Sequence, residues 1–183
     1  LEEINILEGA GQTPEHLARQ PFGKVPAFEH DGFRLYETAA IMRYVDEAFD
    51  GPALQPADPK SRARMTQVSN ILDSYGYPAI IGAVVMQRLV TPLLGGTPDE
   101  TVIEGAKERV ETTVRALEEI LDGNECLAGD ALSLADLHLI PIYDYFAKTP
   151  EGEKLLAGTP NLRRWWQSVS TRPSVAKTAP QLG

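Results

Sequence analysis

Ten residues in the first third of the chain, Asp50 to Pro59, carry three prolines and divide two kinds of sequence. A stretch like this has little conformational freedom and suits a linker. Before it lie short apolar runs broken by turn residues. Ile4, Ile6 and Leu7 suggest a short strand over Glu2–Leu7, ended by Gly9-Ala-Gly11. Thr13-Pro14-Glu15 has the form of a helix start, cap followed by proline, and Gln20-Pro21 stops that helix. Asp31-Gly32 between Val25–Phe28 and Phe33–Leu35 predicts a hairpin, since both residues tolerate positive φ. Ala40, Ile41, Tyr44, Val45 and Ala48 recur every three or four residues, predicting a helix from about Glu37 to Phe49.

After the proline-rich stretch the sequence reads as helix throughout. One long helix is predicted from Lys60 to Leu89, bent at Pro78, and a second from Asp99 to Leu121 with acidic residues at its start. Ser133-Leu-Ala-Asp136 is a capping box with Asp in the usual Glu place, flanked by Leu132 and Leu137 as a staple. Shorter helices follow at Glu151–Ala157 and Asn161–Thr171.

With 17 Lys and Arg against 26 Asp and Glu, the net charge is −9 over 183 residues. That balance argues against nucleic acid, which needs a basic face, and against an anionic membrane surface. No apolar run approaches the roughly 18 residues of a membrane span. Cys126 is the sole cysteine, so an internal disulfide and a Cys-rich zinc site are excluded. The three histidines, His16, His30 and His138, form no metal-type pair, and no metal is expected. The lack of disulfides suits a cytoplasmic location.

The chemistry concentrates in Gln20-Pro-Phe-Gly-Lys-Val-Pro-Ala27 and Leu35-Tyr-Glu-Thr-Ala-Ala-Ile-Met-Arg-Tyr44. With Leu127-Ala-Gly-Asp-Ala-Leu-Ser-Leu-Ala-Asp136, Pro160-Asn-Leu-Arg-Arg-Trp-Trp166 and Arg172-Pro173, they make the chain resemble the cytosolic glutathione transferase family, of bacterial type, along almost its whole length. The resemblance implies an α+β, two-domain fold. Residues 1–50 would form an incomplete thioredoxin-like, glutathione-binding domain, 51–59 a linker, and 60–183 an all-α C-terminal domain. It also implies glutathione as co-substrate, a small hydrophobic electrophile as second substrate, a detoxifying role and a homodimer.

The same resemblance implies a glutathione site. A cis Val25-Pro26 bond would turn the Val25 N–H and C=O toward the cysteinyl part of the ligand, as an added strand would. By residue type alone Pro26 reads as an ordinary trans proline opening an edge strand, since X–Pro bonds are cis in only about 5% of cases. Lys24 would pair with the glycine carboxylate. Glu37 would hold the γ-glutamyl ammonium, and Thr38, as helix cap, its carboxylate; taken alone, the pair is also plain capping. Asp73 would reach the same ammonium across a dimer interface. Tyr75 and Tyr77 would line the second-substrate pocket, although an aromatic on a long helix is more often core. Cys126, Trp165-Trp166, the histidines and the Ser133–Asp136 box read as structural.

A free thiol with pKa near 8.5 is only about 3% ionised at pH 7, so the family activates it with a Ser, Tyr or Cys at the start of its first helix. No residue here matches, and that group is expected before Leu1, along with the family's first strand and helix. The chain alone is therefore expected to be catalytically weak. Readings left open on the same fold are a glutathione-dependent isomerase, dehalogenase or peroxidase, and a non-catalytic binding or assembly protein.

Overall fold

The computed structural model describes residues 1–179. It divides into two compact units, Leu1–Ala53 and the chain from Leu54 onward. The last four residues of the helical region expected over 60–183 lie outside the described residues.

In the first unit, the strand expected at Glu2–Leu7 is absent. Residues 1–5 carry no regular structure, and Ile6–Glu8 make a single 3₁₀ turn closed by Gly9 at φ 85°. The local apolar pattern is real, but a strand needs a paired neighbour for its backbone groups. Here the Asn5 side chain takes the Leu7 N–H at 3.1 Å instead. A second turn, Ala10–Gln12, leads to helix α1 (Pro14–Leu17), whose Thr13 cap accepts the His16 N–H at 3.3 Å. Strands β1 (Ala27–His30) and β2 (Phe33–Tyr36) form the antiparallel hairpin expected around Asp31-Gly32, with φ of 51° and 80° at the turn. Helix α2 (Thr38–Ala48) follows directly.

The second unit is all helical. Asp58 caps α3 (Pro59–Ile71) by accepting the Lys60 and Ser61 N–H groups. Leu54 already belongs to this unit, its carbonyl taking the Leu134 N–H at 3.2 Å. Helix α3 runs on through Leu72–Val90 into α4 (Thr91–Leu93). Across Leu72–Val90 the winding is the wider π type, shown where the Thr91 N–H reaches the Met86 carbonyl. Pro78 sits inside that stretch and brings no N–H of its own, so the regular α ladder cannot run through it.

Helices α5 (Glu100–Ile120), α6 (Leu134–Ala147), α7 (Pro150–Leu156), α8 (Pro160–Val169) and α9 (Pro173–Thr178) complete the unit. Helix α9 has no counterpart among the sequence expectations. Leu72, Leu117, Leu121, Phe146, Leu162 and Trp165 are essentially buried and form the apolar core.

Among the described residues one carboxylate is buried in that core, and it is fully partnered. Asp136 reaches back from the first turn of α6 to the Ser133 N–H and hydroxyl, both at 2.8 Å. Its other oxygen accepts the Leu127 N–H and the Trp165 indole N–H, both at 2.9 Å. A buried carboxylate is tolerable only with such donors. Arg88 forms a second junction, clamping Glu100 at the start of α5 and Glu151 in α7.

Candidate functional site

The loop before β1 owes its shape to buried polar groups. The side-chain amide oxygen of Gln20, a residue 2% exposed, accepts the N–H groups of Phe22 at 2.8 Å and Lys24 at 3.2 Å. From α1 the buried His16 ring donates through Nε2 to the Lys24 carbonyl at 2.7 Å. Lys24, the residue before Val25, is thereby fixed to the body of the unit through both its N–H and its C=O. Two glycines allow the tight packing beneath. A Cβ on Gly11 would lie 2.5 Å from the Gly23 carbonyl oxygen, and Gly23 itself has φ 65°.

Held this way, the Val25-Pro26 peptide is cis. Val25 is 45% exposed, and neither its N–H nor its C=O has a hydrogen-bond partner among the described residues. The Lys24 side chain is exposed and makes no ion pair among those residues.

The hairpin then returns the chain to the same place. Its last pair is Ala27 opposite Tyr36, so the next residue outward on one side is Pro26 and on the other Glu37. Glu37 has φ 73° and ψ 118°, a conformation that costs a glutamate on the order of 1–3 kcal/mol. This turn corrects the expectation for Thr38. The cap position belongs to Glu37, and Thr38 is the first residue inside α2, because the chain reverses one residue earlier than expected. No side chain caps the helix, so its first N–H groups, with the positive end of the helix dipole, stay open to a ligand. Lys24, Val25, Pro26, Glu37 and Thr38 thus meet at one end of the hairpin.

The remaining predicted residues belong to the helical unit. Asp73, half exposed, lies with its Oδ1 3.2 Å from Nε2 of the buried His138 on α6. Tyr75 and Tyr77 are more than half exposed and are not core residues. Tyr75 borders an open cavity of about 540 Å³ along the outer face of α3, from Ala63 to Ile71; Tyr77 does not line it.

Among the residues read as structural, Cys126 has its thiol pushed up to about 11, first by burial and then by the nearby Asp136 charge, which suits an inert group. Trp165 is buried beneath Tyr143, which stacks on Trp166 at 4.7 Å. His30 bonds the Tyr44 hydroxyl at 2.9 Å.

His16 and Gln20, which position the Val25 loop, were not singled out for that role by their sequence pattern. Gln20 sits inside the motif that carries the resemblance, which is the one available signal; nothing in the chain ties His16 to Lys24. No group of three or more His, Cys, Asp or Glu that could hold a metal occurs among the described residues. No helix among them is long and apolar enough to cross a membrane.

Two family models match the chain: the N-terminal domain of glutathione S-transferase over residues 2–47, and its C-terminal domain over residues 77–173. Glutathione S-transferase F13 of Arabidopsis thaliana is 32% identical over 184 residues, covering 100% of this chain and 84% of the relative. Glutathione S-transferase 1 of Zea mays is 34% identical over 176 residues, covering 96% of this chain and 81% of the relative. Among solved structures, glutathione transferase F7 from Populus trichocarpa superposes with TM-score 0.83 at 33% identity, covering 95% of this chain and 82% of that one. Glutathione S-transferase I from maize, in complex with an atrazine glutathione conjugate, gives TM-score 0.79 at 32% identity, covering 96% and 82%. All four are plant proteins, and none of them supports the bacterial type expected from the sequence.

Proposed function

The chain belongs to the glutathione S-transferase family, and from that premise we propose that it joins the glutathione thiolate to small, hydrophobic electrophiles. The sulfur forms a bond to the electrophilic carbon, and the displaced group leaves with the bonding electrons. The maize relative with its atrazine conjugate supports this class of product. The observation that carries the site is the open Val25 main chain beside the uncapped start of α2.

In this reading Val25 pairs through its N–H and C=O with the cysteinyl main chain of glutathione, as one strand pairs with another. Lys24 meets the glycine carboxylate, the local cation an anionic ligand needs on a chain of net charge −9. At the other end, the Thr38 hydroxyl and the first N–H groups of α2 hold the γ-glutamyl carboxylate, and Glu37 holds its ammonium. Holding the peptide at both ends and along its middle leaves the thiol few orientations, which is the entropic share of catalysis by proximity. Asp73 supplies a second carboxylate for the ammonium from the other copy of a homodimer, and Tyr75 and Tyr77 contact the apolar electrophile. A detoxifying, cytoplasmic role fits this substrate class and the absence of disulfides.

Retention on immobilised glutathione, with elution by free glutathione, tests the site. Lys24→Ala and Thr38→Val are each expected to weaken binding about three- to tenfold, the worth of one charge-assisted hydrogen bond partly replaced by water. A wild-type chain that is not retained, or two variants that bind as wild type, would overturn the site. Formation of a thioether with a generic aryl halide tests the reaction.

A further inference from the structure

We infer that His138 is a positioning residue that aims the Asp73 carboxylate at the ammonium of glutathione without cancelling its charge. The inference rests on Asp73 receiving that ammonium, as proposed above.

The geometry carries it. Nε2 of His138 lies 3.2 Å from Asp73 Oδ1, the ring is almost wholly buried, and the carboxylate is half exposed. An aspartate oxygen only accepts, so Nε2 carries the proton of this contact. Nδ1 is buried and has no hydrogen-bond partner among the described residues. A doubly protonated ring would bury a second N–H with no acceptor there, a costly arrangement. The ring is therefore the neutral, Nε2-protonated form. Burial pushes His138 below its ordinary value, against the pull of Asp73, in the same direction.

This choice of side chain has a chemical consequence. A lysine or arginine at the same place would fix the carboxylate and also neutralise it. A neutral imidazole donor fixes one oxygen and leaves the half-exposed carboxylate its full negative charge. A half-exposed aspartate with no such tether would sample several rotamers and would lose entropy on binding. Helix α6 thus supports a ligand contact made by the π-wound segment, through a residue that does not touch the ligand.

Two measurements on the intact chain test this. Histidine ¹⁵N NMR at neutral pH is expected to show His138 with Nε2 protonated and Nδ1 bare; the opposite tautomer, or an imidazolium, overturns the inference. Calorimetric affinities for glutathione and for its analogue lacking the γ-glutamyl amino group give the second. Wild type is expected to prefer glutathione by about tenfold, the worth of one charge-assisted contact. His138→Leu should cut that ratio about threefold, Glu37 keeping the rest, while His138→Gln, whose amide N–H reaches a similar point, should keep most of it. A purely structural role would weaken both ligands alike and leave the ratio intact, which overturns the inference. Should His138→Leu not fold, the tautomer and His138→Gln decide: a Gln variant that loses the ratio counts against it. Asp73→Ala separates the two levels: a ratio unchanged there shows that Asp73 does not receive the ammonium, whereas a ratio lost there and kept in His138→Leu removes only the role of His138.

Discussion

In the helical unit, the side chains withdrawn from water are mostly hydrocarbon; in the first 53 residues they are not. Every buried hydrophobic residue among the described ones lies at or beyond Met65. Before Ala53 the buried residues are Gly11, His16, Gln20 and Gly23, two glycines in close contact and two polar side chains bonded to the backbone. Apolar side chains are present there, but Phe22, Val25, Phe33, Tyr36 and Phe49 are all well exposed. The helical unit is thus a scaffold stabilised by area removed from water. The ligand end of the hairpin is instead shaped by a handful of hydrogen bonds and turns, each contributing little to stability and much to where Lys24 and Val25 point.

That contrast can be broken, and the largest effect belongs to the buried charge. Asp136→Ala would leave the Leu127, Ser133 and Trp165 N–H groups without their acceptor, at a cost of about 3–5 kcal/mol. Urea denaturation followed by circular dichroism measures it, and a loss under about 1 kcal/mol would contradict the role of this junction. Next comes a matched pair of truncations. Phe146→Ala, at a fully buried site, is expected to cost about 3–5 kcal/mol. Phe33→Ala, half exposed against Tyr44, should cost about 1 kcal/mol. Equal losses would erase the distinction between the units.

A smaller effect should appear in the loop alone. Gln20→Ala removes the acceptor of the Phe22 and Lys24 N–H groups, a local loss of about 1–2 kcal/mol. Hydrogen exchange at those two amides should quicken and glutathione binding weaken, while the thermal midpoint of the helical unit stays put. A fall in that midpoint with binding preserved would reverse the assignment. The smallest effect is one of pH. Arg88 holds the Glu100 and Glu151 carboxyls below their ordinary value of 4.5. Their contribution is complete above that value and is lost as the pH falls through the lowered ones. Arg88→Met should therefore lower the midpoint slightly at neutral pH and flatten its decline below about pH 4.5; thermal melts at pH 7 and pH 3 compare the two.

What could be read from the residues was local. Asp31-Gly32, Thr13-Pro14, Asp99 before α5 and the Ser133–Asp136 box each depend on neighbours within a few positions, and each stands where expected. Glu2–Leu7 has an apolar pattern that a strand could use, but a strand is a partnership with another segment, and the Asn5 side chain closed a turn in its place. The start of α2 was misplaced by one residue because a positive φ at Glu37 is set by the end of the hairpin ladder, not by the preference of glutamate.

The sequence by itself determined the division at the proline-rich stretch, the family and the segments that would approach glutathione, because those depend on residue order and short-range sterics. Tertiary structure alone decided that His16 grips Lys24, that Asp136 gathers donors from Leu127 and Trp165, and that His138 meets Asp73. The physical reason is the same in each case. A hydrogen bond between residues far apart in the chain exists only after the helices and turns carrying them have packed, and no spacing in the sequence encodes that distance.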